Sequence, residues 1–310
     1  MRERVDVTIC VLTYRRHAGL ERLLRALDGE GILHARFGRQ VLVVDNNPEG
    51  DARVVVERCG GAEKSMHYVH EPRAGIAAAR NAALDAAAPH SEWVAFLDDD
   101  EAPEPGWIDA LLRAQARYGA DVLTGPVLPR FDSEVPSWVT RGGFFATRRH
   151  RTGARLRRAF TGNVLFRADL ARRLGLRFDD RLNFMGGEDS HFFERLSRAG
   201  YPALWVDEAV VREWIPAERI RPEWLIRRKL WSGHVDAFIR LDAVPGSATR
   251  LALRGVALAW VALGVGAFAW GLAGGRHWRL RGRRAIAYGR GLIAGSSGKL
   301  LEDYARGAPR

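Results

Sequence analysis

Residues 92–105 read EWVAFLDDDEAPEP. An apolar run at 93–97 ends abruptly on Asp98, Asp99, Asp100 and Glu101. Four adjacent carboxylates repel one another, which is costly at the end of a buried strand unless positive charge neutralises them. A divalent cation carrying a pyrophosphate supplies such charge. Strand alternation is expected to set Asp98 and Asp100 on one side and Asp99 on the other, so that two carboxylates converge on one ion. A solvated acidic turn capping a helix that starts near Pro105 fits the same letters, so this stretch alone leaves metal site and turn open.

The residues upstream weigh on that choice. Residues 5–12 form a buried-type strand followed by the polar turn Thr13-Tyr14-Arg15-Arg16, and Leu20, Leu23, Leu24 and Leu27 then recur at helical spacing up to Gly29. A second apolar strand, 40–44, ends on Asp45-Asn46-Asn47-Pro48; 54–56 suits a helix or a short strand, and 67–70 a third strand. Residues 75–88 form an alanine-rich helix containing Arg80 and Asn81 and closed by Pro89. Strands and helices alternating at this spacing indicate an α/β fold, a Rossmann-like and mostly parallel central sheet with flanking helices. Ligands of such sheets bind where the C-terminal strand ends meet. Here those ends carry Thr13-Tyr14, Asp45 and Asp98–Asp100, which favours a nucleotide-type site.

Downstream come a helix over 107–118 and a strand over 121–124. Residues 126–158 lack period and are rich in Gly, Pro, Arg and aromatics, with Trp138, Phe144 and Phe145 expected at the surface of a lid or binding loop. Strand character returns over 160–167. The turn Asn183-Phe184-Met185-Gly186-Gly187 then leads into Glu188-Asp189 at a helix start, followed by an edge strand over 204–206. Glu188-Asp189 suits a plain N-terminal cap. It also suits a general base: the positive helix end keeps Asp189 ionised and the glycine pair lets a substrate approach.

The composition changes at Pro216. Arginines and one lysine alternate with Trp224, Leu225, Ile226, Leu230 and Trp231, a basic amphipathic helix suited to a membrane interface, to diphosphate binding or to ordinary packing. Residues 255–275 contain no charged residue over a length close to the ~20 needed to span a bilayer, with Trp260 and Trp270 as candidate interfacial anchors. A buried helix is the alternative. Basic clusters flank the segment on both sides, so a single span sends the second cluster across the membrane, whereas a re-entrant or in-plane hairpin, with 285–295 as a weak second arm, keeps both on one side.

The chain has 310 residues, 47% of them hydrophobic, enough for one large domain with an appendage or two modest domains. Its net charge of +11 is almost wholly arginine, lysine occurring only at positions 64, 229 and 299. Residues 276–310 hold nine basic against two acidic residues, a local excess that favours a membrane surface or a nucleic-acid tail. Cys10 and Cys59 stand apart and outside any metal-ligand spacing, as expected of free thiols in a reducing compartment. The N-terminus enters a strand without an apolar leader, so the globular part is expected in the cytoplasm.

The motifs TICVLTYRR, VLVVDNNPEGD, EPRAGIAAARNAAL, VAFLDDDEAPEPGW, LTGPV, TGNVLFR and FMGGEDSHFFERLSRAGY occur in this order over roughly residues 5–235. The ordered set resembles family 2 glycosyltransferases of the GT-A fold, and most of all bacterial exopolysaccharide glycosyltransferases of the succinoglycan type. The resemblance implies an inverting, metal-dependent transfer from a nucleotide-diphosphate sugar, a UDP-sugar by family preference, to a hydroxyl of a lipid-linked glycan. It implies that Thr13 and Tyr14 line the base pocket, that Asp45 accepts from base or ribose, and that Arg80 with Arg73 organises the aspartates and diphosphate. Asp98 and Asp99 would face the nucleoside, Asp100 would hold Mg2+ or Mn2+, and Asp189 would be the base. Glu188, Arg227 and Trp231 are expected as acceptor or diphosphate contacts. Arg227-Arg228-Lys229-Leu230-Trp231 departs from the Gln-x-x-Arg-Trp motif of processive members at Leu230, so one sugar is expected per encounter.

The expected organisation is a catalytic domain over 1–215 (nucleotide-sugar half 1–125, acceptor half 126–215), a basic interface segment over 216–245, and a C-terminal membrane-associating helix with basic tail over 246–310. The expected location is the cytoplasmic face of the bacterial inner membrane, with no specific nucleic acid as partner. Two other functions fit less of the chain. A sugar-phosphate nucleotidyltransferase needs a Gly-rich basic loop after the first strand, where Thr-Tyr-Arg-Arg-His stands instead, and a non-enzymatic lipid- or RNA-binding module explains only the positive charge.

Overall fold

The computed structural model describes residues 5–29, 38–60 and 66–297. The last residues of the basic tail, 298–310, lie outside the described residues. The chain divides into two compact units, one built from residues 1–129, 147–183 and 188–214 and the other from 130–146, 184–187 and 215–310.

The first unit follows the alternation of its sequence. Strand β1 (Val5–Thr13) leads to helix α1 (His17–Gly29), β2 (Arg39–Asp45), α2 (Arg53–Cys59), β3 (Met66–His70), α3 (Ile76–Ala87) and β4 (Ser91–Asp98). Then come β5 (Glu101–Pro103), α4 (Trp107–Tyr118), β6 (Val122–Thr124) and β7 (Val127–Arg130). An eight-stranded sheet has the order β3-β2-β1-β4-β9-β6-β10-β8, with β8 at Arg155–Leu156, β9 at Val164–Arg167 and β10 at Ala203–Trp205. The strands from β3 to β4 run parallel, while β9 is antiparallel to both β4 and β6. Residues 203–205 are therefore not the edge strand expected: β8 covers them with an antiparallel pairing. A small second sheet, β5-β11-β7, holds β11 (Val211–Trp214) in its middle.

Period-2 alternation sorts β1 onto two cores. Ile9 and Val11 join Leu20, Leu23, Leu24 and Leu27 of α1 and Trp107 and Leu111 of α4. Cys10 and Leu12 face the other way, toward Ala79, Ala83 and Leu84 of α3 and Phe192, Phe193 and Leu196 of α7 (Glu188–Arg198). Small alanines let α3 lie close on its sheet, and the volume left over on that side is filled by rings. Phe96 stacks on Phe166 at 6.1 Å between centroids, and Phe178 stacks on Phe192 at 4.3 Å. Burial pushes the Cys10 thiol far up, which leaves it inert inside the sheet.

The second unit is mainly helical. Helix α5 (Ser137–Gly142) precedes α6 (Leu170–Arg173) and α7 of the first unit, and α8 (Pro222–Ala243), α9 (Ser247–Gly274) and α10 (Arg276–Ser296) close the described chain. The aromatics expected at the surface of a loop are partly or wholly covered: Phe144 is buried with Leu225 and Leu280, and Trp138, Phe145 and Trp224 pack against them. The reason is that α8 and α10, distant in sequence, supply the apolar surface. Among the described residues α9 is the one helix long and apolar enough to cross a membrane.

Phe166 is fully buried and touches the rings of Phe96, Phe192 and Phe193. Phe166→Ala is expected to cost about 3–5 kcal/mol, read as a lowered urea midpoint with unchanged slope.

Candidate active site

The C-terminal ends of β1 and β4 are neighbours in register, Leu12 opposite Asp98. Strand β4 stops at Asp98 and the chain turns through Asp99 and Asp100 before β5. The expected alternation of the three aspartates therefore fails, because two of them sit in a turn and not in a strand. Asp99 and Asp100 share one guanidinium: Arg16 Nη1 donates to Asp99 Oδ1 at 3.0 Å and to Asp100 Oδ2 at 2.8 Å. The Thr13 hydroxyl donates to the other oxygen of Asp99 at 2.9 Å.

Asp98 takes a different partner. Arg80, on α3, lies with Nη2 3.5 Å from Asp98 Oδ1, while its Nη1 pairs with Glu188 at the start of α7. Arg80 and Glu188 each expose only 3% of the side chain, whereas Asp98 keeps 40%. The Arg80 Nε and Glu188 Oε2 have no hydrogen-bond partner among the described residues. The Asp98 backbone N–H donates to Glu101 Oε2 at 2.9 Å. Gly162 makes room for that buried carboxylate, since a Cβ there would stand 2.3 Å from Glu101 Oε1.

The pocket is short of positive charge. Burial is the largest cause raising the Asp98 carboxyl; Arg80 opposes it, and the charges of Asp100 and Asp189 add to it. Burial likewise pushes Asp99 up to about 6, against the pull of Arg16. Glu101 is raised well above the usual carboxylate range by burial and then by Asp98 and Asp100. For Arg16, burial lowers the pKa but the pull of Asp99 and Asp100 outweighs it, leaving it raised.

Asp189 is partly exposed at the first turn of α7, with Oδ1 accepting from the Ser190 N–H at 2.5 Å. Gly186 and Gly187, at φ of 74° and 82°, turn the chain into this helix, a conformation that L side chains rarely adopt. Thr13, Asp98, Asp99, Asp100, Arg80, Glu188 and Asp189 thus all belong to one unit, and Asp189 lies near enough to Asp98 to act on its charge.

The other expected site residues have partners of their own in the structure. Asp45 is fully buried, and its oxygens accept from the Asn47 and Ala52 N–H groups and the Tyr68 hydroxyl, which shapes the loop after β2. Arg73 forms a two-pronged pair with Glu71 rather than reaching the aspartates. Glu188 is buried and turned inward onto Arg80. Thr13 is also buried with its hydroxyl committed to Asp99, while Tyr14 keeps partial exposure under the Arg15 guanidinium. Arg227 and Trp231 lie on α8, in the other unit. Arg16 and Glu101 were not singled out from the sequence. The arginine three residues past the end of a buried strand, and the acid that follows three aspartates, were the available signals.

Carboxylates and buried guanidinium groups gathered where parallel strands end define a nucleotide-binding enzyme of α/β type. The model of the family "Glycosyl transferase family 2" matches residues 8–175, and that of "Glycosyl transferase family group 2" matches residues 93–280. The chain belongs to glycosyl transferase family 2. It is 34% identical over 257 residues to the succinoglycan biosynthesis protein ExoM of Rhizobium meliloti, covering 81% of this chain and 80% of that protein. It is 35% identical over 132 residues to the pre-mycofactocin glycosyltransferase of Mycobacterium tuberculosis, 42% of this chain and 24% of that protein.

Solved structures share the GT-A fold. The mannosyltransferase PcManGT from Pyrobaculum calidifontis, in complex with GDP-Man and Mn2+, superposes with a TM-score of 0.66 at 19% identity, over 95% of this chain and 88% of that one. Residues 1–349 of S. aureus TarS, in complex with UDP, give 0.54 at 15% identity, over 95% and 92%. The protein is a glycosyltransferase acting on a nucleotide sugar.

The raised Asp99 carboxyl fixes the sign of one pH effect. A group whose folded pKa lies near 6 and whose unfolded pKa lies near 3.8 contributes most below the lower value, and that contribution is lost as pH rises through about 6. Relative to Asp99→Asn, the wild type without metal is expected to lose up to about 3 kcal/mol over that window and no more above it. Urea unfolding across the pH series measures the difference; a constant difference would contradict it.

Proposed function

We propose that the protein is an inverting, metal-dependent glycosyltransferase that adds one sugar to a lipid-linked glycan in polysaccharide biosynthesis at the cytoplasmic face of the inner membrane. The observation that carries the reading is the chain of contacts Asp98–Arg80–Glu188, which links the aspartate cluster to the residue beside Asp189. One guanidinium sets the donor carboxylates and the candidate base in one frame.

A divalent cation fits the residues present. The donors are hard carboxylate oxygens, and burial with mutual repulsion lifts Asp98, Asp99 and Glu101 despite Arg16 and Arg80, a charge deficit that a cation relieves. Asp100, with Asp98 beside it, would hold the ion, Mg2+ or Mn2+, which when bound offsets charge developing on the leaving diphosphate. Asp99 and Thr13 position Arg16, which is available to exchange a carboxylate for a phosphate oxygen. Tyr14, half exposed at the end of β1, is the remaining candidate for the base pocket. The PcManGT complex carries GDP-Man and the TarS complex UDP. UDP is the proposed nucleotide here on the family's preference.

In the reaction the acceptor hydroxyl oxygen forms a bond to the anomeric carbon while Asp189 takes its proton. The bond from that carbon to the diphosphate oxygen breaks, its electron pair leaves with the nucleoside diphosphate, and attack from the opposite face inverts the anomeric centre. The likeness to a succinoglycan biosynthesis protein supports a role in polysaccharide biosynthesis. The exposed apolar helix α9 supports a membrane location.

Asp189→Asn is expected to lower sugar transfer by at least about a hundredfold, the scale of a lost general base, with the thermal midpoint unchanged. Measuring turnover of nucleotide sugars with and without Mn2+ tests this. Full activity of the variant would sink the assignment of the base.

A further inference from the structure

We propose that α9 lies in the plane of an anionic lipid bilayer as an apolar keel, with the arginines of α10 at the headgroups, and does not cross the membrane. The inference rests on the membrane location proposed above and concerns how the second unit meets the lipid.

Helix α10 runs back along α9 and lies between it and α8. Gly282 and Gly289 bring α10 onto α9: a Cβ at Gly282 would stand 2.5 Å from the Gly264 carbonyl, and one at Gly289 2.6 Å from that of Ala257. Toward α8, a Cβ at Gly291 would stand 2.0 Å from the Leu230 carbonyl, and one at Gly295 2.7 Å from that of His234. The backbones are in direct contact on both sides, so α9 and α10 cannot separate without losing this packing. The expected weak second arm over 285–295 is thus part of a full helix of 21 residues.

Helix α9 covers the outside of this stack. Leu251, Leu258, Leu263, Val265, Trp270 and Leu272 are all more than half exposed. An apolar surface of this extent marks an interaction site. Residues 247–296 contain eight arginines and no acidic residue, so the surroundings of this face suit a partner that is both apolar and anionic. Arg279, Arg283 and Arg290 recur along one strip of α10 and are exposed, with Arg283 over the ring of Phe268 on α9. An apolar helix beside a strip of arginine matches acyl chains beneath anionic headgroups.

The same packing argues against a span. If residues 255–275 filled the hydrocarbon, Gly264 would be near its midplane, and Gly282 is packed against Gly264. Arg281, Arg283 and Arg284 would be carried to the centre of the bilayer, where charge is most costly. They would not travel alone. Arg281 donates to the Gly142 carbonyl at 3.2 Å, Arg284 lies over the ring of Phe144 and Arg276 over that of Trp138. The polar segment that contains α5 would have to enter the membrane with them. Lying flat, α9 immerses its leucines while α10 stays at the surface.

The test uses the full chain added to preformed vesicles of phosphatidylcholine with and without phosphatidylglycerol, in a Cys59→Ser background that leaves Cys10 buried. His277→Cys, at the junction of α9 and α10, is treated with a membrane-impermeant maleimide from outside. The expected results are flotation that requires phosphatidylglycerol, and labelling of Cys at position 277 at the same rate with and without detergent. Replacing Arg279, Arg283 and Arg290 by glutamine is expected to abolish the preference for phosphatidylglycerol while leaving donor turnover unchanged. Flotation with labelling only after detergent would overturn the in-plane orientation but keep the membrane location. Failure to float, with self-association in solution, would overturn both and assign the face to a second copy of the chain.

Discussion

The first unit depends on one buried guanidinium. Arg80 reaches from α3 to Asp98 on one side and Glu188 on the other, with the Phe178 ring 5.9 Å from its centre. A charge in such surroundings is costly unless paired, and removing either partner leaves the other uncompensated. The pairing therefore fixes three stretches of sequence that are far apart: the alanine-rich helix, the aspartate-bearing turn and the start of α7. The function proposed for the site draws on that constraint, because the aspartate-bearing turn and the helix start that carries Asp189 are tied to the same side chain.

The carboxylate cluster is poised rather than satisfied. Arg16 and Arg80 supply two positive charges to a turn of three aspartates and a glutamate, and burial still lifts several of those carboxyls. A protein gains no stability from such an arrangement by itself. The deficit is understandable in a site that receives a cation and diphosphate together, where the planar fork of arginine suits phosphate. The same residue type serves the second unit differently, where arginines lie over aromatic rings and along the flank of an apolar helix.

Much of the fold was legible in the sequence. Apolar strands ending in polar turns, and leucines and alanines at helical spacing, located β1 to β4 and α1, α3 and α4 within a few residues, because local periodicity decides them. What was not legible depended on partners distant in the chain. Strand β10 was misplaced at an edge because its cover, β8, is only two residues long. The aromatics around Phe144 showed no period because their partners are on α8 and α10. At the site, the aspartates and Asp189 were visible as an unusual density of charge next to strand and helix ends. The partners of Asp45 and Arg73 were not legible, because residue type does not reveal that a carboxylate accepts from its own loop, or that an arginine is held by the glutamate two residues before it. Arg16 was hidden in an ordinary-looking turn, and only the strand register shows that it faces the aspartates.

The central claim is a division of labour, with the aspartate cluster binding the donor and Asp189 moving the proton. Calorimetric titration of UDP and of GDP, with and without Mn2+, separates the two tasks when applied to the wild type, Asp100→Asn and Asp189→Asn. The expected result is Mn2+-dependent nucleotide binding that Asp189→Asn retains at wild-type affinity and Asp100→Asn loses. Equal loss in both variants, or binding that is indifferent to Mn2+ and to Asp100, would contradict it.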